Sequence, residues 1–202
     1  MKKQKKGKIV IGVTGGLASG KSTVARMLKN RDCELIDADK LAHRLLYRGG
    51  RVYKKIVGFF GSGILKPNKS IDRQKLAGVV FLHALALKKL NSIVHPELKK
   101  EIFRRIGNSG KRIIILDAAL IIEAGLRRKL DKLVVVTAKR GQQIKRSCSK
   151  LDINNNQAAL RMKSQISQDE KSRFADFIID NSGSINETKK QVVEIRRRLW
   201  KS

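Results

Sequence analysis

The chain has 202 residues, a length for one α/β domain with an insertion, and 41% hydrophobic residues are enough to fill a core. Aromatics make up only 4%, which argues for an aliphatic core and against a platform that stacks bases. Lys and Arg number 46 against 17 Asp and Glu, a formal charge of +29, and no apolar run approaches a membrane span.

Residues 9–14 form the first apolar run and read as a buried strand, with residues 23–28 reading as the helix behind it. Between them lies Gly15-Gly16-Leu17-Ala18-Ser19-Gly20-Lys21-Ser22, a G-x-x-x-x-G-K-S phosphate loop followed by Thr23. Its glycines let the backbone turn with N–H groups facing inward at a helix N-terminus, a nest for anions. Lys21 then reaches the β- and γ-phosphates of a nucleoside triphosphate, and the Ser22 hydroxyl can ligate Mg²⁺. The N-terminus is basic and leads straight into this strand, where a cleavable apolar leader would destroy the loop. With two cysteines, Cys33 and Cys148, that form neither a metal spacing nor a disulfide framework, a cytoplasmic protein is expected.

The second strand is the short Glu34-Leu35-Ile36, ending in Asp37-Ala38-Asp39. Carboxylates beyond a strand's carboxyl end suit a kinase, which needs a group to accept or orient the acceptor's proton. The plainer reading is a cap for a helix beginning near Lys40. Residues 40–110 are helical in pattern, with residues 58–69 as a loop or hairpin, and are expected to cover the acceptor. Within them His95 precedes Pro96, which predicts extended backbone at His95 and a helix starting at the proline, with His43 and His83 inside helices. Residues 112–116 form the third strand, ending in Asp117, a candidate Mg²⁺ ligand or a turn residue. Residues 133–137 form the fourth and residues 177–179 the fifth, which ends at Asp180-Asn181. Unbroken runs such as Ile113-Ile114-Ile115-Leu116 lack polar alternation, as strands of a parallel sheet buried on both faces should. The segment 142–173 is polar, basic and helical, and suits a lid over phosphates. The predicted fold is therefore a phosphate-loop nucleoside-triphosphate hydrolase fold, a five-stranded parallel sheet with flanking helices. It forms a single domain, with core residues about 8–39, 111–141 and 174–202, an acceptor-side insertion at about 40–110 and a lid at about 142–173.

Taken in order, these blocks resemble the dephospho-coenzyme A kinase family. Its T-G-G-x-x-S-G-K-S-T opening is similar to residues 14–23, and its V-I-D-A-D-x-x-A block to residues 35–42. F-G-x-x-I-L resembles residues 60–65, D-R-x-x-L residues 72–76, V-F residues 80–81, and I-x-H-P residues 93–96. A-D-x-V-I-x-N-x-G resembles residues 175–183. The resemblance implies Mg-ATP as donor and the ribose 3′-hydroxyl of dephospho-coenzyme A as acceptor, in the last step of coenzyme A synthesis. It implies Asp39 as the catalytic base beside Lys21, and Arg146, from Gln143-Ile144-Lys145-Arg146, as the basic lid residue. Contacts to ATP are expected from Gly15, Ala18, Ser19, Gly20, Lys21, Ser22 and Thr23 of the loop and, by the resemblance, from Arg161, with Gln165 completing that element; Mg²⁺ is expected by Ser22 and Asp117.

The chain departs from the family pattern at four points. Ala18 replaces a usual glycine, which is tolerable at negative φ. D-x-P-L-L-F-E becomes Asp117-Ala118-Ala119-Leu120-Ile121-Ile122-Glu123, which predicts a slacker segment, and Lys150 stands for an arginine. The fourth departure is the charge itself. The basic residues are densest at 2–8, 99–105, 127–132 and 196–201 with no aromatics interleaved, so a diffuse charge is favoured over a nucleic-acid surface. Two other readings remain open, another nucleoside or nucleotide kinase and a basic ATP-binding nucleic-acid factor. No membrane partner is expected, and the chain is taken as a monomer or small homo-oligomer.

Overall fold

The computed structural model describes residues 7–200; the basic stretch Lys2 to Lys6 and Lys201 lie outside them. Residues 38–106 form one compact unit, and the chain on either side of them forms the other.

The larger unit is built on a parallel sheet of β1 (Ile9–Gly15), β2 (Cys33–Asp37), β3 (Ile113–Asp117), β4 (Lys132–Thr137) and β5 (Phe177–Asp180), in the order β2-β3-β1-β4-β5. β1 is central because Ile9 to Gly15 is apolar or small throughout and tolerates cover on both faces. The helix α1 (Lys21–Leu28) follows the phosphate loop and packs with α9 (Ile185–Trp200), placing Val24, Ala25, Leu28, Val192, Ile195 and Leu199 in one core with Ile11, Val13 and Val134. Three helices separate β4 from β5: α6 (Arg140–Leu151), α7 (Asn155–Lys163) and α8 (Gln168–Ser172). The polar triplet Asn154-Asn155-Asn156 starts α7 through a capping box, in which Asn154 accepts from the Gln157 backbone and Gln157 from that of Asn154.

The smaller unit contains α2 (Ala38–Leu45), α3 (Arg51–Phe60), α4 (Arg73–Leu82) and α5 (Ala84–Asn108, whose last residues belong to the sheet unit). Its core is Val52, Ile56, Ile64, Ile71, Leu76 and Val80, with Leu87, Leu90, Ile93 and Val94 packed against it. Asp72 of the D-R-x-x-L block caps α4 by accepting from the N–H groups of Gln74 and Lys75.

Local expectations fail at three places here. Pro96 does not start a helix; it lies inside the 25-residue α5, so His95 is helical rather than extended. Leu87, Leu90, Ile93 and Val94 are packed on one side of the proline and Ile102 and Ile106 buried on the other, and burial outweighs the lost backbone bond. His83 sits between α4 and α5 in extended backbone, not within a helix. The expected loop or hairpin at 58–69 is helical as far as Phe60 and through a 3₁₀ turn at Ser62–Ile64, and only its end is a hairpin, closed by an antiparallel bridge between Leu65 and Ile71. Ile56 and Ile64, both buried, pull that stretch into the core.

Candidate active site

The phosphate loop leaves the carboxyl end of β1 in the middle of the sheet. Gly15 is paired with Val136, and an added Cβ would run into the Val136 carbonyl and the Ser19 hydroxyl, so only glycine fits. The Ser19 N–H donates to the Gly16 carbonyl at 3.2 Å, closing the loop, and Gly20 takes a φ of 96° as the residue that opens α1. Lys21, Ser22 and Thr23 form the first turn of α1, which precedes any carbonyl that the helix itself could offer, and the Thr23 N–H donates to the Gly20 carbonyl at 2.9 Å. Ala18 has a φ of 52°, so the negative φ that would suit its methyl is not what the loop adopts. The loop needs a left-handed residue there, and alanine accepts a strain of about 1 kcal/mol that glycine would not.

Two acids stand level with the base of this loop. The register pairs Asp37 on β2 with Asp117 on β3, and Asp117 with Val13 on β1. Asp117 is 3% exposed; Asp37 is half-buried. The helix after β2 begins at Ala38 rather than near Lys40, so Asp39 lies exposed in its first turn, where a carboxylate suits the helix dipole.

Asn181, just beyond β5, ties the loop to the rest of the unit, a part the sequence pattern did not disclose. Its Nδ2 donates to the Ser19 carbonyl at 2.8 Å, and its Oδ1 accepts from the buried Thr188 hydroxyl at 2.8 Å. Any side chain at Gly20 would strike its amide. Its own carbonyl accepts from Arg146 Nη2 at 3.2 Å, while Arg146 Nη1 is buried without a hydrogen-bond partner. Arg146 therefore connects to the phosphate loop through one residue. The signal for Asn181 was present in the N-x-G of residues 181–183, but its reach to Ser19 spans 162 positions.

The start of the polar segment 142–173 is interior, not surface. Gln143, 3% exposed, lies beside Gly16, and its Nε2 donates to the Ala138 carbonyl at 3.2 Å and to Gln168 Oε1 at 2.7 Å. Ser147 is buried and donates to the Gln143 carbonyl. Lys145 and Lys150 are exposed on the same helix. Arg161 on α7 is half-buried, and burial pushes its guanidinium below its ordinary pKa.

The run 118–124, expected to be slack without its proline and aromatic, is instead held by hydrogen bonds. The Ala119 carbonyl accepts from the Thr14 hydroxyl at 3.0 Å and from Lys171 Nζ at 2.6 Å. Lys171 is fully buried and also meets Glu123 at 3.0 Å, and Glu123 accepts from the Ile166 N–H at 3.3 Å. Lys171 was not a candidate from sequence, since one lysine among so many carries no signal. In the helical unit, a cavity of about 480 Å³ is lined by Lys40, His43, Arg44, Arg48, Arg73 and Tyr47 among others. No carboxylate lines it.

The dephospho-CoA kinase family profile matches residues 9–187, almost the whole of this arrangement. The chain belongs to the dephospho-CoA kinase family. Dephospho-CoA kinases of Carboxydothermus hydrogenoformans and Aquifex aeolicus are 40% and 42% identical to it, covering 95% and 94% of this chain and 94% and 96% of theirs. A solved dephospho-CoA kinase from Campylobacter jejuni is 29% identical, with a TM-score of 0.66 over 95% of this chain and 97% of that one. A shikimate kinase from Acinetobacter baumannii shares the fold at 15% identity and a TM-score of 0.56. The family makes the chain a kinase of the final step of coenzyme A biosynthesis, for which ATP is the donor. Among the described residues no helix is long and apolar enough to cross a membrane.

Proposed function

We propose that the chain transfers the γ-phosphoryl group of Mg-ATP to the ribose 3′-hydroxyl of dephospho-coenzyme A, giving coenzyme A and ADP. The observation that supports this most directly is the phosphate loop on the central strand with Asp117 level with it on the neighbouring strand. The loop N–H groups and Lys21 hold the β- and γ-phosphates, with Gly15, Ala18, Ser19, Gly20, Ser22 and Thr23 forming the cradle. Asp39 takes the proton of the acceptor hydroxyl as its oxygen forms a bond to the γ-phosphorus. The bond from that phosphorus to the β–γ bridging oxygen breaks, and ADP leaves. Arg146 offers Nη1 to the charge that builds on the transferring group, and Arg161 adds a second cation, as α6 to α8 close over the nucleotide. Asp37 is assigned to orienting rather than proton transfer.

Mg²⁺ fits the donors present. Ser22 and Asp117 offer hard oxygens, and Mg²⁺ takes few protein ligands and completes its shell with water and phosphate. Among the described residues there is no group of three or more His, Cys, Asp or Glu of the kind zinc prefers. When bound, the ion neutralises charge on the β- and γ-oxygens.

The acceptor carries a pyrophosphate, and the basic cavity of the helical unit suits it by charge. A cytoplasmic site of action accords with Cys33 and Cys148 both being free thiols. A coupled assay offering dephospho-coenzyme A, adenosine and AMP as separate acceptors tests the reading. Turnover with the first alone is expected; comparable rates with adenosine or AMP would move the assignment to a nucleoside or nucleotide kinase.

A further inference from the structure

In three of the basic runs that stand out in the sequence, two cations share one carboxylate. Arg104 and Arg105 reach Glu101 at 2.7 and 3.0 Å, and the Arg104 bond is the chief cause of that carboxyl's fall to about 2. Arg127 and Lys132 both reach Asp176, at 2.9 and 3.7 Å. Arg197 and Arg198 reach Glu194 at 3.8 and 3.0 Å.

Another set of cations was not visible as a run, because three chain segments contribute to it. Arg26 and Lys29 at the end of α1, Arg31 in the following turn and Lys111 just before β3 line an open groove of about 530 Å³, completed by Asn30 and Cys33. All four basic residues are exposed. Arg26 Nη2 donates to the Thr23 hydroxyl at 3.4 Å and Lys111 Nζ to the Arg31 carbonyl at 2.8 Å, contacts that position the side chains without cancelling charge. No carboxylate lines the groove, and none of the four is ion-paired among the described residues; Asp32 in the same turn is not a lining residue. The groove lies at the amino ends of β2 and β3, the opposite end of the parallel strands from the phosphate loop. The helix dipole accounts for one or two cations at the end of α1, but not for Arg31 and Lys111 converging on the same space.

We propose that this groove is a docking surface for the phosphodiester backbone of nucleic acid. Four unneutralised cations brought from three chain segments into one open groove of about 530 Å³ are complementary in charge to a run of phosphates, and each phosphate they neutralise releases a counterion. With no aromatic and no exposed apolar side chain in the lining, the surface reads backbone rather than bases. The same lack of an apolar wedge leaves an anionic membrane surface with electrostatic attraction alone.

Fluorescence anisotropy of the full chain with a labelled 20-base-pair DNA duplex, between 50 and 200 mM salt, tests this. Neutralising four phosphates gives a log–log salt slope of about −3.6, a loss of roughly 10²-fold over that range. The Lys29→Ala/Arg31→Ala variant is expected to halve the slope to about −1.8 while kinase turnover stays within about twofold of the parent. The charge-keeping swap Lys29→Arg/Arg31→Lys should retain the full slope, and Lys54→Ala/Lys55→Ala, exposed on α3, should leave it unchanged. An unaltered slope in the groove variant, an equal loss in the α3 control, or tighter binding to anionic phospholipid vesicles than to the duplex at the same salt would each overturn the proposal.

Discussion

Every buried polar or charged side chain among the described residues, from Thr14, Ser19 and Asp117 to Gln143, Ser147, Lys171 and Thr188, belongs to the unit built on the sheet. The helical unit buries aliphatic residues such as Val52, Ile56 and Leu76, and keeps Lys40, Arg44, Arg48 and Arg73 exposed around its cavity. Burying a polar group is costly unless it is bonded, so a unit that does it repeatedly gains position rather than stability. The sheet unit fixes a loop and its neighbours to within a hydrogen bond, as chemistry on a triphosphate demands. Exposed cations give attraction without that precision, which suits capture of a long, charged acceptor.

The comparison is sharpest where a single charge is removed from the loop. Lys21→Ala should lower turnover by at least about 10²–10³, since the β- and γ-phosphates lose the loop's cation. ATP binding, measured by titration, should weaken but persist through the backbone nest; a variant keeping more than about a tenth of parental turnover would refute the role. Asp39→Asn, on the helical side, is expected to cost roughly 10²–10⁴ in kcat with little change in ATP affinity. Asp37→Asn should be milder, and a larger loss there would exchange the two roles.

Removing a buried partner tests the rigid side through stability rather than rate. Glu123→Ala leaves fully buried Lys171 without its carboxylate, an expected loss of about 3 kcal/mol. For a chain of this size that is a fall in Tm of about 6–12 °C by calorimetry. A fall under about 2 °C would mean that the Glu123 carboxylate is not what holds Lys171 in place.

Arg146→Ala should reduce kcat by about tenfold, or 1.4 kcal/mol. Asn181→Ala should act in the same direction, and the double variant by less than the product, because Arg146 and the loop meet at that residue. Additive losses would separate them. The smallest effect is a gain. Ala18→Gly relieves a φ of 52° and should stabilise by about 1 kcal/mol, raising Tm by about 2–4 °C. No gain would mean that the loop's strain lies elsewhere.

Much of the sheet unit was legible along the chain. All five strands appear within a residue or two of their predicted places, because Ile113 to Leu116 and Leu133 to Val136 are apolar without alternation and only a buried parallel sheet suits them. The phosphate loop was legible because its chemistry is carried by adjacent residues. Harder to read were the groups whose partners are remote, such as Asn181 with Ser19 and Lys171 with Ala119 and Glu123. Pro96 misled for a related reason, since the rule that a helix ends before proline is local and the packing of α5 is not.

By itself, then, the sequence determined the parallel α/β fold, the phosphate loop and the acids after the second and third strands. Each depends on neighbours in the chain, through periodicity, spacing or a turn's need for glycine. The tertiary structure alone decided that Gln143 lies behind the loop, that Arg146 joins it through Asn181, and that four unpaired cations share one groove. Charge and hydrogen bonding act across space at a few ångströms, and the order of residues in the chain does not state which distant segments the fold will bring within that range.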